Sequence, residues 1–540
     1  MKRRNNWGLL LLLGTAAAWL AAGGGAGAPW GRLIPGIAAL LLAGGFFLRK
    51  TTLLPGSLGG GMLLVWLDAF LGLQGLLVLG GALLFLGALF LLRRKKGSPL
   101  TSEDLLLGAA FLAMALHLAY ILTTPYSLRS NDVSFLGAGE GHLAYMEYLL
   151  NHGFRLPDFD PTTVWQFYHP PLHHYLGAFF LKLNLLLGIP LGQGAEHLQF
   201  LPLLYSGFLL IFSRRFFRLL GLHGRGLVLA FSLTALHPVW ILLSGNLNND
   251  LLSLTLSLGA LTQALVWYRG RRTGDLLLSG LFLGLSMAAK ASGALLIPAL
   301  AFLLAWAFFR EWGKKPWKLL PAYGGFLLIS VPLGTAWALY NNIRWGMPLS
   351  YVAPQSLASP EYLGGYSLLE RFLPLDPGLF TSPFRILGDP AQDYSVPLGL
   401  LKTALFGEGA FFPPGSLAFW AAAALFWLQA LLAATAFLAL ICFLLLRRRG
   451  VPGSFRATAG IFGATLLGSF LSFNLQYPFM STYHFRYVAL TLVLGALGLG
   501  YLLEDLREGG RKKGALLLEA GILLFLLLTL LVYGRLLMLS

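Results

Sequence analysis

Apolar runs of about twenty residues, the length that crosses a bilayer as a helix, recur along the chain. Lysines and arginines bracket most of them. The runs are continuous and leucine-rich, not alternating ten-residue strands, so they read as helices rather than a β-barrel. Charged residues make up 11% of the chain, against about 25% in a soluble domain. Counting soluble domains by length therefore does not apply. Cys442 is the single cysteine, which excludes an internal disulfide framework.

The formal net charge of +17 invites a nucleic-acid reading, but the positions of the charges oppose it. Of the 39 Lys and Arg residues, 28 fall in eight clusters that flank apolar runs: 2–4, 49–50, 93–96, 214–225, 269–272, 310–318, 447–456 and 507–513. That is the pattern of the positive-inside rule. It predicts a multi-pass protein of the plasma (inner) membrane with a cytoplasmic N-terminus and no nucleic-acid partner. Eleven crossings are expected: 104–123, 198–217, 226–244, 250–268, 275–290, 291–309, 319–340, 417–446, 457–474, 487–503 and 514–534. About four more segments precede them in an N-terminal extension, 1–99: 7–28, 33–48 and a hairpin within 53–92. Residues 7–28 also fit a signal peptide ending in Ala26-Gly27-Ala28.

This threading divides the rest into a core at 100–345, an outer segment at 346–416 and C-terminal helices at 417–540. Two long polar stretches, 124–196 and 341–416, then lie on the outer face. Thirteen of the 22 acidic residues fall in outer segments, so the chemistry is expected there. The second stretch has 10 of the 28 prolines and no strong period. It reads as a lid or acceptor-binding segment.

In the first stretch, Leu143, Met146, Leu149 and Leu150 share one side of a helix at 141–151, opposite Glu140, Glu147 and Asn151. Pro170-Pro171 opens a second helix, whose Leu172, Leu176, Phe179, Phe180 and Leu183 would lie on the bilayer with Lys182 snorkelling. Asp132 and His169 each sit just ahead of such a helix. A carboxylate there suits base catalysis on a lipid-borne substrate, and an ordinary solvated loop aspartate fits the spacing equally. His142, His169, His173 and His174 with Asp132 or Glu140 have metal-ligating chemistry but match no recognised metal motif. A divalent cation is left open, and no metal ligand or other cofactor is assigned. Asn249 and Asp250 follow a crossing, where they either cap the next helix or face a shared cavity. Lys290 joins two short crossings, and an ionisable residue so enclosed is a site candidate. Arg344 and Arg486 also stand at outer boundaries, against the orientation bias. Three cations on one face suggest a phosphate.

Asp132, the run Tyr168-His169-Pro170-Pro171-Leu172, the run Asn248-Asn249-Asp250 and Lys290 form an ordered set. In this topology the set resembles the GT-C glycosyltransferases over roughly residues 100–504, nearest the protein O-mannosyltransferase and aminoarabinose-transferase branch. The resemblance implies an all-α, multi-spanning membrane fold with two juxtamembrane helices. It implies a polyprenyl-phosphate-linked sugar as donor and an extracytoplasmic glycan, lipid or protein as acceptor. It makes Asp132 the catalytic carboxylate, in an inverting displacement. Lys290, Arg486, Arg344 and His169 fall near the donor phosphate. Asp250, Asn249, Tyr168, His142, Glu140 and Tyr487 fall in the polar site. The chain departs from the mannosyltransferase pattern in having Asn131, not an acid, before Asp132. Two competing readings use the same cations: a flippase for a lipid-linked sugar, and a ligase or polymerase of surface glycan.

Overall fold

The computed structural model describes residues 14–16, 18–19, 76–95, 100–311, 315–388, 392–446 and 450–538. Most of the expected segments at 7–28 and 33–48, and the first part of 53–92, lie outside the described residues. Among the described residues the protein is helical, and the isolated Tyr362–Phe479 bridge is the sole β-pairing.

Eight helices are long and apolar enough to cross a membrane, or up to ten spans if each of two bent pairs counts as one. After α1 (Leu76–Lys95) come α2 (Ser102–Thr123), two juxtamembrane helices α3 (Gly141–Asn151) and α4 (Leu172–Leu186), and the short α5 (Leu191–His197) leading into α6 (Phe200–Leu219). Next are α7 (Gly224–Ala235), α8 (Pro238–Ser244), α9 (Asp250–Gly270), α10 (Thr273–Ala289), α11 (Ile297–Arg310) and α12 (Leu320–Trp345). The chain closes with α13 (Leu368–Phe372), α14 (Val396–Phe406), α15 (Leu417–Leu445), α16 (Gly453–Gln476), α17 (Thr491–Glu508) and α18 (Lys512–Leu537). Each of the eleven expected crossings coincides with a long helix, a bent pair or the shorter apolar α10.

Two crossings expected as single helices are broken. The one at 226–244 bends by 43° between α7 and α8. Pro238 has no N–H to donate and forces His237 out of helical geometry, and His237 Nδ1 then accepts from the Val239 amide. The segment Met480–Val488 meets α17 at 53°.

Packing of α9, α10 and α12 sets the site. Ser253 and Ser257 of α9 bond Ser286 of α10 at 3.0 and 2.8 Å. Gly280 and Gly284 let α12 approach α10 so closely that a Cβ would lie 2.9 Å from the Phe326 carbonyl or 2.8 Å from Leu333 Cβ. Small residues at such crossings, with hydroxyls bonding across them, are how helices associate in lipid. The result brings the start of α9 beside the end of α10.

The juxtamembrane helices cross at Gly177, where a Cβ would meet Met146 Sδ at 2.3 Å. Leu143, Met146 and Leu149 are buried as the pattern predicts, and His142 and Tyr145 are buried with them. On α4, Phe179 and Leu186 are exposed.

The segment 341–416 carries more secondary structure than its sequence period suggests. It is a folded cap that contains α13 and α14 and buries Arg371, Arg385 and Lys402. An eleven-residue helix leaves little period in a sequence, and charges read as surface unless their partners are known.

Candidate active site

Asp132 sits in a sharp turn with φ of +63°. That left-handed conformation costs a non-glycine residue roughly 1–2 kcal/mol, though aspartate tolerates it better than most. The turn lets the Asp132 carbonyl accept from the His142 amide at 3.0 Å and the Val133 carbonyl accept from Leu143 at 3.2 Å. These bonds satisfy orphan donors at the start of α3. Gly141 makes the approach possible. Its φ is +92°, and a Cβ would lie 2.6 Å from the Val133 oxygen. From the other side, Asn246 Nδ2 donates to Asn131 Oδ1 at 3.0 Å. The carboxylate itself is 30% exposed, so it stands at the mouth of the site.

Behind it lies a chain of charges. Arg486 Nη2 is 2.8 Å from Asp132 Oδ2, and Arg486 Nη1 is 3.7 Å from Asp250 Oδ2. Lys290 Nζ contacts Asp250 Oδ1 at 2.5 Å. Arg486 and Asp250 are buried, and Lys290 nearly so. Asn249 Nδ2 donates to the Ala289 carbonyl at 2.8 Å, which locks the start of α9 to the turn carrying Lys290. Tyr487 lies under both cations, its ring centroid 5.0 Å from Arg486 and 5.4 Å from Lys290. Arg486 Nε and Nη1, Asn248 Nδ2 and His484 Nε2 are buried without a hydrogen-bond partner among the described residues. Such groups in a native structure call for a ligand or water.

The first outer stretch supplies an aromatic wall. His142 stacks on His169 and on His174 at 5.3 and 5.2 Å, and Tyr168 touches His169 at 4.7 Å. Trp337 Nε1 donates to the Tyr168 carbonyl at 3.0 Å, and His173 Nε2 donates to the Leu247 carbonyl at 2.8 Å. His142 Nδ1 lies 2.9 Å from His174 Nε2, so these nitrogens serve each other. Among the described residues no three His, Cys, Asp or Glu side chains converge as a metal site would require.

Burial pushes His169 down to about 3 and His173 to about 4, and it holds His142 and His174 well below the usual imidazole value. Burial, reinforced by Asp132, keeps the Tyr168 phenol protonated. The unfolded chain therefore takes up protons near pH 6.5 that the folded one refuses until far lower pH. Stability should be flat above pH 7 and should fall steadily as pH drops from about 6.5 toward 4. Thermal midpoints of the detergent-solubilised protein across that range check this.

Of the eleven site residues expected from sequence, Asp132, Lys290, Arg486, Asp250, Asn249, Tyr487, Tyr168, His169 and His142 come together. Arg344 does not join them. It pairs with Asp158 at 2.6 Å, with both side chains exposed. It stands in the last turn of α12, where this surface partner is within reach. Glu140 is also exposed and makes no capping bond at the start of α3. Asn246 and Trp337 stand outside the residues expected from sequence, and His174, marked there only for metal-ligating chemistry, packs against His142 instead. All three support the wall and the turn around Asp132.

The family model for dolichyl-phosphate-mannose-protein mannosyltransferases matches residues 168–335. The chain resembles the GT-C glycosyltransferases. The match includes Tyr168, His169, Asn249, Asp250 and Lys290, whereas Asp132 and Arg486 lie outside it. No curated protein matches the chain. Among solved structures, the archaeal oligosaccharyltransferase AglB from Archaeoglobus fulgidus, in complex with an inhibitory peptide and a dolichol-phosphate, is 14% identical. The alignment covers 80% of this chain and 55% of that one, with a TM-score of 0.44. The chain thus spans about half the length of that protein. ArnT from Cupriavidus metallidurans, bound to undecaprenyl phosphate, is 15% identical over 72% of this chain and 77% of that one, with a TM-score of 0.33.

Proposed function

We propose that the protein is a membrane glycosyltransferase that moves a sugar from a polyprenyl-phosphate donor to an acceptor on the extracytoplasmic face, with Asp132 as base. The observation that carries this reading is Arg486. Its buried guanidinium touches Asp132, approaches Asp250, and has no hydrogen-bond partner for Nε and Nη1 among the described residues. A guanidinium with unused donors suits a phosphate oxygen. Orientation follows from charge. The opposite ends of α9, α10 and α17 carry Arg269, Arg272 and Arg507, and such clusters stay cytoplasmic.

In this mechanism the donor phosphate draws the Arg486 contact away from Asp132. The freed carboxylate takes the proton of the acceptor hydroxyl as its oxygen attacks the anomeric carbon. The bond from that carbon to the phosphate oxygen breaks, its electron pair leaves with the phosphate, and configuration inverts. Arg486 and Lys290 neutralise the departing charge in a water-poor site, where preorganised charge is commonly the largest catalytic contribution. The folded cap 346–416 closes the acceptor side.

Asp132→Asn keeps the shape of the turn and removes the base. Mass spectrometry of lipid extracts should show a polyprenyl-phosphate sugar accumulating in cells with the variant, while a glycan decoration disappears. An unchanged lipid and glycan profile, with the variant present in the membrane, would refute the assignment of Asp132.

A further inference from the structure

The cap buries an ion pair that the mechanism does not use. Lys402 Nζ in α14 lies 2.8 Å from Asp393 Oδ1, with side-chain exposures of 0% and 4%. The second oxygen of Asp393 accepts from the Ile386 amide at 2.7 Å. Replacing a buried pair of this kind with well-packed apolar side chains is often neutral or stabilising. Its presence therefore asks for a reason other than stability.

What the pair holds is the backbone that leads into Arg486. The Asp393 carbonyl accepts from Tyr483 Oη at 2.8 Å. One residue past Lys402, Thr403 Oγ1 accepts from the Phe485 amide at 3.0 Å and donates to the Gly399 carbonyl at 2.8 Å. Gly399 lies so close to the Tyr483 ring that a Cβ would sit 2.4 Å from it. Arg385, fully covered, pairs with Glu361 and Glu408 at 3.0 Å each and lies 5.5 Å over the same ring. The Leu363 amide donates to the Pro478 carbonyl, and the Met480 amide to that of Glu361. Residues 478–485 are thus gripped by the cap at several points, and Arg486 follows directly.

We infer that Lys402, Asp393 and Thr403 are positioning residues that set Arg486 against the donor phosphate, so that the fold of the cap and phosphate binding are coupled. This rests on the functional reading above. The coupling works through the Phe485 amide and the Tyr483 hydroxyl, the two bonds by which the cap holds the residues just ahead of Arg486.

Thr403→Val is nearly isosteric and removes the acceptor for Phe485 without exposing a charge, whereas Thr403→Ser keeps that acceptor. Lys402→Met with Asp393→Leu replaces the ion pair by apolar side chains and guards against a variant that merely fails to fold. Two measurements on the full chain in nanodiscs decide the matter: hydrogen exchange of the 480–488 amides, and affinity for undecaprenyl phosphate, with Arg486→Met alongside. Thr403→Val and the double variant should exchange faster in this segment and bind at least tenfold more weakly, at thermal midpoints near wild type. Thr403→Ser should match wild type in both. Unchanged exchange in Thr403→Val, or equal loss in Thr403→Ser, overturns the inference. If Arg486→Met weakens binding while Thr403→Val does not, the inference fails and the functional reading survives. If Arg486→Met leaves binding unchanged, both fail.

Discussion

Arg486→Met should lower sugar transfer by a factor on the order of 100 to 1000, the cost of removing one preorganised donor to a developing anion. Arg486 is the group that reaches both carboxylates, at 2.8 Å to Asp132 and 3.7 Å to Asp250. In the proposed mechanism its removal deprives the donor phosphate of the Nε and Nη1 donors. The loss should appear in the rate per folded molecule. Arg486→Lys keeps the charge but not the planar fork, so one ammonium must choose between partners. It should recover only part of the rate. The check is transfer by purified variants, normalised to the folded fraction.

Asp250→Asn should have the largest effect on stability. Asp250 is 4% exposed and stands between Lys290 and Arg486. Its neutralisation strands the Lys290 ammonium without its carboxylate and leaves Arg486 with Asp132 alone. Breaking a buried pair by removing one partner typically costs about 3–5 kcal/mol. Adding Lys290→Met removes the stranded cation, so the double variant should be more stable than Asp250→Asn alone. Its transfer should not return, because the proposed phosphate site has lost Lys290. Chemical or thermal unfolding of both single variants and the double variant, read as a cycle, measures the coupling. Additive losses across that cycle would mean that Lys290 and Asp250 do not act together.

The crossings were legible because lipid imposes a length and the basic clusters impose a direction. Lys290 and Arg486 stood out as cations against that direction. Their meeting on Asp250 depends on how α9 packs on α10 through Ser253, Ser257 and Ser286, which no local pattern encodes. Arg344 carried the same signal as Arg486 yet ends in a surface pair with Asp158. Position at a boundary does not say which way a long side chain turns. Lys402, Arg371 and Arg385 lay outside every basic cluster, and that was the available hint of the cap's buried core. Their partners, Asp393 and Glu361 among them, are set by folding of a segment with little period. The breaks at Pro238 and before Thr491 were masked by apolar runs that continue through them. Histidine density marked the first outer stretch, but its spacing could not tell a metal site from the stacked rings of His142, His169 and His174.

The central claim is that a carbon–oxygen bond to a lipid phosphate is broken here. Wild-type protein in nanodiscs should be given the lipid fraction and the acceptor fraction of cells that carry Asp132→Asn, and free polyprenyl phosphate should be measured over time. The account predicts that wild type releases it in step with sugar appearing on the acceptor, and that Asp132→Asn releases it at least a hundredfold more slowly. Passage of an intact lipid-linked sugar with no release, or release by Asp132→Asn at the wild-type rate, would contradict it.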